Sequence, residues 1–310
     1  MSASPALART RPVVRRRVTI ASQRRVALGT MLAPSAVVLT VVFVIPIIYS
    51  IWQGLEQGSG TAAVRFVGVK NFTTLASQPT FWKALRVSLV FTVGCVAISL
   101  VLGLFVALAV YKKVPAATVI QGASVIPWAM PYVAAALLWS TIFDYQFGPL
   151  NWILKSLHLI GGPAGWLTSP GLALVSVILV QSWELFPLAG VMLLAGLQAI
   201  PPDRLDAAAV DGANAFQQLR YVLLPGLRPV SAILTLLLAI WVFGRSFTVI
   251  FVLTGGGPVN ATQTLVIETY EQGFQLFDIN TAAALGTIIL VISGLLSIAY
   301  WRVVLHRGEA

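Results

Sequence analysis

Long apolar runs, rather than alternation, organise this chain. A helix that crosses a bilayer needs about 20 mostly apolar residues. Six stretches meet that length, at roughly 26–52, 85–111, 118–143, 171–200, 229–254 and 282–305. None is long enough for two crossings, and none shows the dyad alternation of a membrane β-barrel. Pro34, Pro46, Pro127, Pro131 and Pro187 fall inside these runs. Lipid tolerates them where neighbouring helices satisfy the freed backbone groups. The pattern predicts an all-α membrane protein with six transmembrane helices. The first run follows a basic stretch, as in a signal peptide. It is much longer than the about 7–15 residues of a signal core, and no small-residue cleavage site follows. It therefore reads as a retained anchor, and its length argues against export by way of the Arg15-Arg16-Arg17 cluster.

Between the spans, the loops are unequal. The second is only a few residues, at 112–116, whereas outer loops 53–83 and 144–170 are about 30 residues each. Within the latter, the apolar positions of 151–160 recur at helical spacing, consistent with a helix lying on the surface or with a plain connector. The loop between spans four and five, 201–229, has distinctive chemistry. Pro201 and Pro202 suit a first helical turn. Asp203 and Asp206 put negative charge near that positive helix end. Ala207, Ala208 and Ala209 keep one face thin, and Asp211-Gly212 signals a turn. Phe216, Leu219, Val222 and Leu223 then recur at helical spacing, with Pro225 and Pro229 expected to close the unit. The prediction is a compact helix–turn–helix. Gly255-Gly256-Gly257 reads as a flexible outer turn.

Composition agrees with the pattern. The chain of 310 residues is 58% hydrophobic and 10% charged, against about 45–50% and about 25% for soluble domains. One soluble core of this size cannot hide that much apolar surface, which excludes a soluble enzyme, a disordered chain, a coiled coil or a nucleic-acid binder. The net charge of +10 acquires meaning from its placement. With residues 1–25 in the cytoplasm, 14 of the 20 basic residues lie inside, five outside (Arg65, Lys70, Lys83, Arg86, Lys155), and Arg245 falls in a span. The positive-inside rule then sets both termini in the cytoplasm, with a basic arm expected to be disordered against anionic lipid. The single cysteine, Cys95, gives no disulfide framework. His158 and His306 have no helical partner for a metal, so no metal site is expected.

Ionisable residues within spans are functional candidates by default. Glu184 in span four and Arg245 in span five lie about 22 and 24 Å from their cytoplasmic ends at about 1.5 Å per residue. This matched depth predicts that both face a polar central cavity, as substrate ligands or as an interhelical pair. Gln181, Glu184, Leu185 and Leu188 share one helix face, and Ala239, Val242, Phe243 and Ser246 share another. Trp183 and Trp241 stand nearby; for the apolar members, helix packing is the plainer role.

Loop 201–229 resembles the EAA motif of the permease subunits of ABC importers. Asp206 stands where that family usually has Glu, and Ala207, Ala208, Asp211, Gly212, Ala213, Phe216, Leu224, Pro225 and Pro229 match its pattern. Three further stretches are similar to the carbohydrate importers related to the maltose and glycerol-3-phosphate permeases: residues 66–72 with 81–85, residues 194–201, and residues 253–258 with Thr262 and Thr264. The likeness runs from about residue 30 to 303; Arg86-Val87-Ser88 departs from an Asn-Thr pair found in many relatives. The resemblance implies a type I ABC importer permease fold, with an arm at 1–25, a first helix and outer loop at 26–84, a permease core at 85–305 and a tail at 306–310. It implies a second homologous permease in a heterodimer, two ATP-binding cassette subunits and an extracytoplasmic binding protein, with a sugar as cargo. The EAA helix would dock into an ATPase cleft and carry its closure to the spans. Gly212 would permit the turn, Asp206 and Asp211 would fix polar contacts, and Phe216 would pack near the docking surface. The chain carries no phosphate-binding G-x-x-x-x-G-K-[ST] loop, so ATP and Mg would belong to the partner ATPase. The two helix stripes align with substrate-contacting regions of the maltose permeases. A secondary transporter would not need the EAA loop and would usually carry more membrane carboxylates. An ABC permease for a phosphate or an amino acid is disfavoured by residues 66–72 and 255–258.

Overall fold

The computed structural model describes residues 20–58 and 63–302. The chain divides into two compact units, Met1–Tyr49 and Ser50–Ala310. Most of the basic arm and the C-terminal tail, with His306 and Arg307, lie outside the described residues. Helix nevertheless begins at Ile20, inside the arm expected to be disordered.

Among the described residues, five helices are long and apolar enough to cross a membrane: Thr30–Gly54, Pro79–Tyr111, Pro170–Gln198, Arg228–Arg245 and Ile279–Tyr300, with a broken pair as the sixth candidate. They are numbered one, two, four, five and six below, and the broken pair is span three. Two of the predicted spans change form. Span three is split into Ala117–Ala129 and Tyr132–Ile142, which meet at 106°. Pro131 explains this: it forces Met130 into extended backbone (φ −78°, ψ 138°) and cannot continue the hydrogen-bond ladder. Its 13-residue first half, about 20 Å long, does not cross a bilayer unaided. Span five ends at Arg245, and a separate helix follows at Thr248–Leu253. At this break the Phe247 amide donates to the Arg245 carbonyl at 2.8 Å. With Ser246 at φ −78° and ψ 64°, this is an inverse γ-turn.

Span two runs 33 residues from Pro79, starting six residues earlier than its apolar run suggested. At about 50 Å it outreaches a hydrocarbon core of about 30 Å. Its partner is span four. Cys95, Ser99, Gly103 and Ala107 stand four residues apart and are all buried. This small-residue seam lets the backbones approach. A side chain at Gly103 would meet Ala189 Cβ at 2.6 Å and the Gly190 amide nitrogen at 2.8 Å. Ser182 Oγ donates to the Cys95 carbonyl at 3.4 Å and Ser99 Oγ to the Ser182 carbonyl at 3.4 Å. Around this seam lies the main core, including Phe91, Val177, Leu193, Leu234 and Ile250. A second cluster ties Leu75, Phe81 and Ala84 to Phe243, Leu265 and Leu285.

Residues 149–156 form a helix, so 151–156 is helical and 157–160 turns away. Buried Asn151 anchors it: its amide donates to the Ala164 carbonyl and its Oδ1 accepts from the Trp166 indole.

Candidate substrate pathway and coupling surface

The breaks in spans three and five open onto one cavity of about 180 Å³. Span three contributes Trp128 and Tyr132, span four Gln181 and Leu185, and span five with its γ-turn Trp241, Val242, Arg245 and Ser246; Thr248 and Val249 complete the wall. Arg245 is exposed, and its guanidinium carbon stands 5.7 Å from the Trp241 ring centroid, a cation–π distance. The wall thus combines three aromatic rings, one cation and several hydrogen-bonding groups, with no carboxylate among its lining residues.

Glu184 departs from its expected position. It is 2% exposed and absent from the cavity wall. Its Oε2 accepts a bond from Gln181 Nε2 at 3.1 Å, and Oε1 has no partner among the described residues. No ion pair joins it to Arg245 among those residues. Glu184 therefore holds the Gln181 amide, and Gln181, one turn away, reaches the cavity. Leu188 and Ala239 are half-buried against the core, and Phe243 is buried in the second cluster with Phe81 and Leu265. These four do not line the cavity, because the face that reaches it is narrower than the stripe drawn by helical spacing. Trp183 sits edge-on to Trp139 at 5.6 Å and is also off the wall.

Sequence reading missed Trp128, Tyr132, Thr248 and Val249. Pro127 and Pro131 were a usable signal for the first two, since a broken helix turns its ends inward. Nothing in the residues around Ser246 announces a γ-turn.

At the opposite end, Pro202–Val210 is the predicted helix, with Asp203 in its first turn. It ends in a Schellman motif: Ala213 N–H bonds the Ala208 carbonyl and Gly212 N–H the Ala209 carbonyl. Gly212 takes φ +79° with open space around it. Asn214 and Gln217 form a capping box for the next helix. The prolines do not close the unit as expected. A π-turn at Leu219–Leu223, in which Leu224 N–H bonds the Leu219 carbonyl, absorbs Pro225, and the chain continues through Leu224–Gly226 into span five. Leu223 and Leu227 are buried, whereas Phe216 is 68% exposed. Asp206, Ala207 and Asp211 are exposed, and Ala208, Ala213 and Pro225 half-buried. Among the described residues neither aspartate side chain has a partner within the chain.

The glycine turn is also tighter than expected. Gly255 and Gly256 have φ of +56° and +91°. Thr262 N–H bonds the Gly256 carbonyl, Thr262 Oγ1 donates to the Gly257 carbonyl, and Thr254 and Thr262 hydroxyls meet at 2.7 Å. A side chain at Gly256 would meet Gln263 Oε1 at 2.1 Å. This is an interlocked turn, not a flexible one.

Broken apolar spans around a polar cavity define a multi-pass membrane transport protein. Residues 99–308 match the family model described as the binding-protein-dependent transport system inner membrane component. The chain belongs to this family, the permeases of ABC importers. It is 33% identical over 282 residues to the trehalose/maltose transport system permease protein MalF of Thermococcus litoralis, covering 90% of this chain and 94% of that one. It is 28% identical to the sn-glycerol-3-phosphate transport system permease protein UgpA of Agrobacterium fabrum, covering 89% and 94%. The fold matches a chain in the crystal structure of a bacterial ABC transporter that imports the acidic polysaccharide alginate, with a TM-score of 0.74, 21% identity and coverage of 91% and 97%.

Proposed function

We propose that this chain is one of two permease subunits of an ATP-driven, binding-protein-dependent sugar importer in the plasma membrane, with both termini cytoplasmic. The observation that carries the sugar reading is the cavity wall: Trp128, Tyr132 and Trp241 offer ring faces, while Gln181, Arg245 and Ser246 offer hydrogen bonds. Relatives named for trehalose/maltose and for glycerol-3-phosphate support it. Gln181 and Arg245 bind hydroxyls, Trp241 stacks on the ring and backs the guanidinium, and Glu184 is a positioning residue acting through Gln181. A homologous second permease supplies the rest of the pathway. Two ATPase subunits hold ATP and Mg, and an extracytoplasmic binding protein delivers the sugar. Asp206, Ala207, Ala208, Asp211, Gly212, Ala213, Phe216 and Pro225 form the coupling surface, supported by the exposure of Phe216 and of helix 202–210.

The test is uptake into proteoliposomes holding the assembled transporter and its binding protein. Labelled trehalose or maltose should enter only with ATP, and Arg245→Gln should slow entry about tenfold, a loss of about 1.4 kcal/mol. Glu184→Gln should assemble normally and transport less. Normal transport by both variants would end the assignment of these residues to the pathway. ATP-independent uptake, or uptake of phosphate or an amino acid instead, would overturn the wider reading.

A further inference from the structure

A second polar cavity, of about 170 Å³, lies beside the glycine turn. It joins three segments: the start of span two (Thr80, Lys83), the glycine turn (Asn260, Gln263) and the helix that follows (Glu268, Glu271). Glu268 is 6% exposed, and its Oε2 has no hydrogen-bond partner among the described residues. Glu271 stands one turn further on, accepting from Gln263 Nε2 at 2.6 Å. The ammonium of Lys83 is committed elsewhere, donating to the Val259 carbonyl at 2.7 Å. Burial, and secondly the charge of Glu271, push the Glu268 carboxyl above the usual carboxylate range. A buried, unpaired carboxylate beside a second one is costly unless something neutralises it.

We propose that this cavity binds a hydrated divalent cation of the Ca²⁺ class. The lining residues offer the carboxylates of Glu268 and Glu271, the amides of Asn260 and Gln263 and the Thr80 hydroxyl, a hard-oxygen set with no imidazole or thiol, beside one ammonium, Lys83. The volume equals several waters at about 30 Å³ each, so the ion keeps part of its hydration shell. An irregular shell of six to eight oxygens suits Ca²⁺, whereas Mg²⁺ demands a near-ideal octahedron. The two carboxylates less Lys83 leave a single negative charge, which attracts a cation weakly. Bound there, the ion would clamp the glycine turn to the head of span two, on the face that the basic residues place outside.

The full-length chain in neutral-lipid nanodiscs, stripped with chelator and titrated with CaCl₂ by calorimetry, tests this. One saturable site is expected, with a Kd on the order of 10⁻⁴–10⁻³ M as in extracellular modules. Glu268→Gln and Glu271→Gln should each weaken it about tenfold or more, while Lys83→Gln, at an exposed position, should tighten it. MgCl₂ should bind more weakly. Thermal unfolding followed by circular dichroism checks that each variant is folded, and if a Glu variant is not, the Lys83→Gln response decides. No saturable site, an unchanged Kd in a folded Glu268→Gln, or a Lys83→Gln that fails to bind more tightly overturns the proposal.

Discussion

Two glycine-bearing turns sit at opposite ends of span five, and they are built for opposite purposes. At the coupling loop, Gly212 takes a left-handed conformation with nothing around it. The helix before it ends on its own backbone and the helix after it is capped by its own Asn214. Outward-facing Phe216, Val210 and Tyr221 remain exposed. The loop is therefore finished internally yet unpaired externally, as the proposed ATPase-docking surface requires. At the outer turn, Gly256 combines a left-handed φ with a space already filled by Gln263. Thr254, Thr262 and Lys83 bond across the turn, which spends its polar groups within the chain. The same residue type thus marks a conformational need at one end and both conformation and space at the other.

Substitutions can break this contrast. Gly256→Ala should cost most, about 1–2 kcal/mol for the left-handed conformation plus the displacement of the Gln263 amide from its bond to Glu271. It should appear as a large drop in the thermal midpoint of the purified transporter. Phe216→Ala should leave that midpoint unchanged but cut ATP-dependent uptake about tenfold or more, since an exposed aromatic anchor contributes only when a partner covers it. A lowered midpoint with normal uptake would make Phe216 a structural residue. Gly212→Ala should cost about 1–2 kcal/mol, the conformational term alone, so equal losses at Gly212 and Gly256 would erase the contrast. Asn214→Ala removes the capping box and should cost about 1 kcal/mol, measured as earlier loss of helicity on heating.

Much of the coupling loop was legible in the residues, because its structure is local. A proline-led helix, a glycine stop and an amphipathic restart depend on neighbours a few positions apart. The continuation past Pro225 was not legible, since whether a proline ends a helix or is absorbed by a π-turn depends on what buries Leu223 and Leu227. The cavity was half legible. The depth of Arg245 and the face carrying Gln181 and Leu185 followed from helical arithmetic, and the structure brings these three to one wall. Glu184 shares that face by spacing, but burial turns it to Gln181.

The sequence by itself determined the membrane environment and the places of the apolar runs, its motifs pointed to the family, and its local chemistry set the helix, stop and restart of the coupling loop. These rest on hydrophobic length, charge placement and short-range turn chemistry. Only the tertiary structure decided that spans three and five break beside each other, that Trp128 and Tyr132 join Arg245 in one cavity, and that the glycine turn is locked. The break at Pro131 and the Thr254–Thr262 bonds are local, but the meeting of the two breaks in one cavity and the bond from Lys83 to the turn join residues distant in sequence, where packing chooses among conformations that local chemistry leaves open.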